Sequence, residues 1–293
     1  MRFKVGLLGL GLTGLLSGCA GGVNIELYTD PHKYIDLAVH RERERIYEMF
    51  KKTVNMTLAH KTDFRVSETL KDGSTRDDRY SKKGAGFVLG NRYVISLHVS
   101  KPYQEDPEYI KSRNVAGYKI NSQTTSIDGV AITLLEKDEG ADFAIFHLPE
   151  ELCRRYCNNG VELSTNFKPG ERIFWLENPE AYGKELRYGR IASLPERIEV
   201  KGKTWRAFRV DLPFENGSSG SPVFTMYGQL IGFAIARKNG QGIVMPVSGF
   251  MRYLNVSQEG NRLIAERISD EGLAKLKSGP LEEKVRTITP TTR

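Results

Sequence analysis

The stretch Glu215–Phe224 reads ENGSSGSPVF, placing three serines and two glycines between an acid and the start of an apolar run. A serine hydroxyl alone is a poor nucleophile. It becomes a good one when a general base lies within hydrogen-bond reach, a third group orients that base, and donors await the oxyanion. The chain offers a candidate for each part. His98 closes the run YVISLHV and Asp142 opens the run DFAIFHL, both upstream of the serines. The order His, Asp, Ser is one of several in which an acyl-transfer triad is built on unrelated folds. Taken singly, each residue has an ordinary explanation. A histidine at a strand end is commonly structural, an aspartate before a strand commonly makes a turn, and Gly, Ser and Asn are frequent turn formers. Their joint occurrence in one chain is what points to acyl transfer.

Elements able to position such groups follow from residue 53 onward. Short β-rich runs recur between Gly, Asn, Asp and Pro: TVNMTLAH, AGFVLGNRYVISLHV, VAITLLE, FAIFHL, RIFWLE, ELRYGRIASL, AFRVDL, PVFTMYGQLIGFAIA and GIVMPV. Many short strands at close intervals predict an all-β barrel or sandwich. Upstream, Asp30-Pro31 supplies a cap and a first-turn proline for a helix reaching about Lys52, with RERER as its solvated face. Downstream, a helix is expected over Arg262–Lys277, followed by a frayed tail, GPLEEKVRTITPTTR. No internal repeat is visible, and too little chain remains for a second β domain.

On these segments the chain resembles a chymotrypsin-fold serine protease, in particular the HtrA/Deg-type protease domain. GAGFVLGNRYVISLHV is similar to the strand pair ending in the catalytic His, and ADFAIFHL to the strand headed by the catalytic Asp. FKPGERIFWLENPEAYGKELRYGRIASL resembles the glycine turn, strand and Asn-Pro loop. FRVDLPFENGSSGSPVFTMYGQLIGFAIA resembles the nucleophile loop with its hairpin, and GIVMPVSGFMRYL the closing strand and helix. The resemblance implies an all-β, chymotrypsin-like double β-barrel with flanking N- and C-terminal helices and a site in the cleft between barrels. It implies His98 as general base, Asp142 as its orienting acid and Ser219 as nucleophile, the serine of a Gly-x-Ser-Gly pattern. The Gly217 and Ser219 amides would form the oxyanion hole, leaving Ser218 and Ser221 as loop residues. The family's usual Gly-Asn-Ser-Gly-Gly-Pro stands here as Gly-Ser-Ser-Gly-Ser-Pro. From these residues neither a PDZ domain nor an Ile-Val-Gly-Gly-like activation start is expected. The pocket for the residue before the scissile bond would be lined near Pro213, Phe214 and Gly232–Arg237. It has no acid at its floor, which implies a small or medium apolar preference.

The N-terminus, MRFKVGLLGLGLTGLLSGCAGG, admits two readings. Gly9-x-Gly11-x-x-Gly14 fits a dinucleotide-binding pattern, which would require a βαβ unit. Arg2 and Lys4 followed by an apolar run and small residues fit an export signal, too short to span a membrane comfortably. Leu16-Ser17-Gly18-Cys19 resembles the processing site of bacterial lipoproteins, in which the Cys is lipidated and becomes the new N-terminus. This second reading fits more residues, since GCAGG continues a helix poorly. The expected layout is then a signal peptide over 1–18, a lipidated Cys19 with spacer and helix over 19–52, a protease domain over 53–254, and a C-terminal helix and tail over 255–293. Ala20 after the cysteine resembles lipoproteins of the outer membrane facing the periplasm.

Composition adds limits. The 293 residues carry a formal charge of +7 without a dense Arg/Lys block interleaved with aromatics, so no nucleic-acid groove is expected. Expected partners are polypeptide substrates, the membrane through Cys19, and other copies of the chain, since relatives are often trimeric. No metal site is expected at Cys153 and Cys157, which have no nearby His or second Cys pair, and the acyl-enzyme reading calls for no metal or organic cofactor. A helical C-x-x-x-C places its Cβ atoms roughly 5–6 Å apart, against the ~3.5–4.5 Å a disulfide needs. These two bridge only if CRRYC is irregular, and free thiols are the other reading. A protease fold kept as a catalytically silent peptide-binding module is the rival function.

Overall fold

The computed structural model describes residues 47–51, 53–177, 184–200 and 202–268. The expected signal peptide, Cys19 and the start of the N-terminal helix lie outside the described residues, as do the Asn178-Pro179 loop and the tail.

The first barrel is closed, in the order β1–β2–β3–β6–β5–β4. Its strands are β1 (Thr57–Leu70), β2 (Thr75–Leu89), β3 (Arg92–Ser96), β4 (Val115–Ile127), β5 (Val130–Asp138) and β6 (Phe143–His147). The second sheet contains β7 (Val161–Leu163), β8 (Arg172–Glu177), β9 (Glu185–Arg190), β10 (Glu196–Val200), β11 (Lys203–Val210), β12 (Pro222–Thr225), β13 (Leu230–Lys238), β14 (Gln241–Pro246), β15 (Val256–Glu259) and β16 (Arg262–Ala265). Its main path runs β10–β11–β14–β13–β12–β8–β9, and an Ile191–Val210 bridge brings its ends together. This is the expected all-β, chymotrypsin-like double barrel.

Each barrel is filled by its inward-facing residues, and a third cluster joins the two. Val88, Tyr93, Ile95 and Phe146 pack inside the first barrel, and Trp175, Phe208, Val223 and Val244 inside the second. Between them Phe87 and Phe143 of the first barrel meet Phe233 and Phe250 of the second with ring centroids 6.0–6.3 Å apart, and Phe233 and Phe250 pack on each other at 5.3 Å. Aromatic pairs at such spacing add to the roughly 1.5–3 kcal/mol that burying each ring contributes. The residues before β1 use this joint as well: 47–51, 53 and 54 are helical, and Met49 and Phe50 are buried in the same cluster.

The structure differs from the expectations in several places. The strand expected to open at Thr53 starts at Thr57, because the helix runs through Val54. The helix expected from Arg262 begins instead as strand β16, paired with β15 and with β7. A turn at Gly260, with φ +59°, folds the chain back, and the edge of β7 supplies a partner, so pairing overrides helical propensity. The β framework therefore continues past residue 254. Three further strand stretches, 61–70, 75–83 and 115–124, carry mostly polar residues and belong to the long β2–β1–β4 ribbon. Cys153 and Cys157 are disulfide-bonded with Cα atoms 4.6 Å apart. The irregularity that this requires is present: helix α1 (Pro107–Ser112) precedes, and helix α2 (Glu150–Tyr156) stops one residue before Cys157, which is extended at φ −65°, ψ 145°.

Candidate active site

β3 and β6 are antiparallel neighbours with Ser96 opposite Phe143, so the residues just past one strand lie beside the residue just before the other. After Ser96 the chain makes a single 3-10 turn, Leu97–Ser100, which carries His98. Asp142 sits at φ +48°, in the left-handed region that aspartate tolerates better than most residues. That turn of the backbone sends its carbonyl to the Leu97 amide at 2.9 Å and its Oδ1 to the His98 amide at 3.1 Å. The other carboxylate oxygen, Oδ2, takes His98 Nδ1 at 2.7 Å and the Ser96 hydroxyl at 2.6 Å. A carboxylate only accepts, so Nδ1 carries the imidazole proton and Nε2 presents a lone pair. Ser219 Oγ lies 3.0 Å from that lone pair.

Lys82 holds the same turn from β2. Its ammonium donates to the carbonyls of His98 (3.1 Å) and Lys101 (2.7 Å). Burial pulls this lysine down to about 8, against the opposing pull of Asp106 and Glu105.

The serine arrives from the second barrel. Gly220 donates to the Ala234 carbonyl at 2.7 Å and Ala234 donates back to Ser221 at 2.8 Å, which clamps the end of the loop to β13. Gly220 has φ +95°, and a Cβ there would fall 2.1 Å from the Ala85 carbonyl oxygen of β2. Only glycine lets the two barrels approach so closely, and that approach is what sets Ser219 beside His98. Gly217, at φ +85°, turns the chain just before it. Among the described residues neither the Gly217 nor the Ser219 amide is hydrogen-bonded, whereas the Ser218 and Ser221 amides are committed to Glu215 and Ser218 carbonyls. The three serines therefore separate. Ser218 and Ser221 are fully buried, and Ser219 alone is partly exposed and within reach of the imidazole.

Two residues that sequence reasoning passed over belong to this neighbourhood. Ser96 satisfies Asp142, and Glu177, at the end of β8, accepts the Glu215 amide at 3.3 Å and the Trp175 indole N–H at 2.9 Å. Trp175 is otherwise a packing residue of the second barrel. His60 is buried on β1 and His147 is partly buried on β6, while His32 and His40 lie outside the described residues. Among the described residues no group of three or more His, Cys, Asp or Glu side chains could hold a metal ion.

The family described as "Trypsin-like peptidase domain" matches residues 84–233, just over half the chain and a span that contains His98, Asp142 and Ser219. Among solved structures, the HtrA-type protease AlgW with a decapeptide is 15% identical with a TM-score of 0.52. That match covers 71% of this chain and 66% of AlgW, slightly under two thirds of its length. Deg5 is 21% identical with a TM-score of 0.52, covering 73% of this chain and 94% of that one. At such identities the likeness is one of fold. No curated protein sequence matches the chain.

Proposed function

The chain belongs to the trypsin-like peptidase domain family, and from that premise we propose that it is a serine endopeptidase acting on exposed polypeptide segments through an acyl-enzyme. The observation that carries this reading is the Ser219 Oγ to His98 Nε2 distance of 3.0 Å, with Nδ1 of the same ring on Asp142 at 2.7 Å. In this mechanism Ser219 Oγ attacks the scissile carbonyl while its proton passes to His98 Nε2. The Gly217 and Ser219 amides receive the oxyanion, a contribution of about 2.7–4 kcal/mol per donor in related chemistry. His98 then protonates the leaving amine, and Asp142 stabilises the imidazolium without itself taking the proton. Water, activated by His98 in turn, releases the acyl group. AlgW with its decapeptide supports a peptide as the occupant of such a cleft.

The N-terminal sequence supports placing this activity in a bacterial cell envelope, held to a membrane by a lipidated Cys19 after removal of residues 1–18. Mass measurement of the membrane-fraction protein tests the anchor: a diacylglycerol mass on a chain starting at Cys19 is expected, and its loss in Cys19→Ser.

The catalytic reading is tested by intact-mass detection of a fluorophosphonate adduct on the chain starting at Ala20. One adduct is expected on the wild type and none on Ser219→Ala. Absence of any adduct on the folded wild type favours the rival, a protease fold used as a silent peptide-binding module.

A further inference from the structure

Residues 213–219 carry the two amides that the proposed reaction needs, yet little holds them. Among the described residues only two hydrogen bonds tie this stretch to the rest of the fold. One is the Ser219 hydroxyl on His98, and the other is the Glu215 amide on Glu177 Oε1. The remaining loop bonds are internal: Ser218 to the Glu215 carbonyl at 3.2 Å and Ser221 to the Ser218 carbonyl at 2.9 Å. The Glu215 carbonyl thus fixes the next turn, and the Glu215 amide fixes Glu215.

Glu177 is built for this position. Its side chain is 1% exposed, an unusual situation for a carboxylate unless it is paired. The Trp175 indole N–H shares Oε1, and Arg187 Nε of β9 lies 3.3 Å from Oε2, an ion pair without hydrogen-bond alignment. Arg187 also meets Glu185 at 2.9 Å and Glu215 at 4.0 Å, so the guanidinium links β9 to the loop. Phe214 stacks edge-on against Trp175 at 5.4 Å, which brings the apolar part of the loop to the same place. Burial pushes the Glu177 carboxyl above the usual range, against the opposing effects of Trp175 and Arg187. A buried ion pair of this kind adds little to stability compared with apolar residues of equal volume. What it supplies is a fixed acceptor at one point.

We propose that Glu177 is the positioning residue of the nucleophile loop, holding the Glu215 amide so that the Gly217 and Ser219 amides converge on one oxyanion. The ordering contact comes from β8 of the same domain. The role rests on the serine endopeptidase reading for its catalytic consequence, though not for its effect on loop order.

Two readouts separate the claims. The first is amide hydrogen exchange at Glu215, followed by NMR or mass spectrometry, which needs no activity. The second is the second-order rate constant for fluorophosphonate labelling of Ser219. Glu177→Ala is expected to speed exchange at Glu215 at least tenfold and to slow labelling about 100-fold, the scale of losing one oxyanion donor. Glu177→Gln retains an acceptor for both N–H groups, so labelling within about fivefold of wild type is expected. The double change Glu177→Met with Arg187→Met removes the buried pair at similar volume and preserves folding where the alanine fails to fold. It is expected to lose labelling as the alanine does. Wild-type exchange at Glu215 in either acceptor-free protein overturns the proposal, and so does wild-type labelling. A folded wild type that takes no label sinks the protease reading instead, and exchange alone then decides the role of Glu177.

Discussion

Acid should destabilise this protein in a way that His60 controls. His60 sits on β1 with 2% of its surface exposed, and its Nδ1 lies 3.1 Å from the Tyr93 hydroxyl. That hydroxyl donates to the Leu58 carbonyl at 2.8 Å, so it accepts from His60, and the ring is neutral with the proton on Nδ1. Nε2 has no partner among the described residues. Burial, and secondarily the Lys82 ammonium, pull the imidazole from 6.5 down to about 3. An unfolded chain therefore takes up a proton as pH falls through 6.5, and the native protein does not do so until about pH 3. The stability contribution is present above the unfolded value and is lost as pH falls toward the folded one. At about 1.36 kcal/mol per pH unit, moving from pH 7 to pH 5 removes about 2 kcal/mol, and full acidification about 5 kcal/mol. The first figure alone is a sizeable part of a typical 5–15 kcal/mol. Urea unfolding followed by Trp175 and Trp205 fluorescence at both pH values measures it. In His60→Leu the difference between pH 7 and pH 5 should shrink by about 2 kcal/mol relative to wild type. The packing cost of the substitution cancels in that comparison. Equal pH dependence in the two proteins would refute the assignment of a buried neutral ring.

The remaining predictions concern the cleft. Gly220→Ala places a methyl 2.1 Å from the Ala85 oxygen at a φ of +95°, so the barrels must separate locally. Fluorophosphonate labelling should be abolished and unfolding eased by about 1–3 kcal/mol, the usual scale of such backbone strain. Labelling at the wild-type rate would show that the contact does not set the position of Ser219. Lys82 should give the reaction a basic limb near pH 8, because its charge-assisted bonds to His98 and Lys101 weaken when the ammonium deprotonates. The expected fall in labelling rate above that pH is about fivefold, from the difference between charged and neutral hydrogen bonds. Lys82→Arg should remove the limb, and Lys82→Met should lower the rate at every pH. A limb that survives in the arginine protein belongs to another group.

The residues that do the proposed chemistry were legible because their surroundings are local. His98 and Asp142 each sit at the end of an apolar run, and Gly217 and Gly220 mark the turns on either side of Ser219. Strands buried on both faces, such as Arg92–Ser96 and Pro222–Thr225, announce themselves as continuous apolar runs. The polar strands did not. In β1 the buried positions beyond Phe64 and Val66 include Glu68, which is satisfied by Arg76, Gln104 and Tyr109 from other elements. No alternation of apolar residues can reveal a strand whose inward positions are filled by a paired acid. The helix expected from Arg262 failed for a related reason: the free edge of β7, about 100 residues upstream, decides the conformation of Arg262–Ala265. Glu177 and Ser96 were invisible for the strictest version of it. Each works through one oxygen placed against a partner 38 or 46 residues away, and nothing in the neighbouring sequence encodes that meeting.

These observations bear on where the precision of the site comes from. His98 and Asp142 are fixed within the first barrel by backbone as well as side-chain bonds, so their geometry follows once β3 and β6 pair. Ser219 shares no strand with them and is 121 residues from His98. Its placement depends on how one rigid barrel meets the other, which is set by the four-phenylalanine joint and the Gly220–Ala85 contact. Well-packed joints of this kind deform little, because interiors are close-packed and resist compression. The loop leading to Ser219 is different: outside its clamp to β13, among the described residues it is tied by single hydrogen bonds, one to His98 and one to Glu177, and by the longer Arg187–Glu215 ion pair. Rigidity is thus concentrated in the barrels and withheld from the segment that carries the two amides of the proposed oxyanion site. A change at the joint should alter stability and reactivity together, whereas a change at Glu177 should alter reactivity while the barrels stay folded.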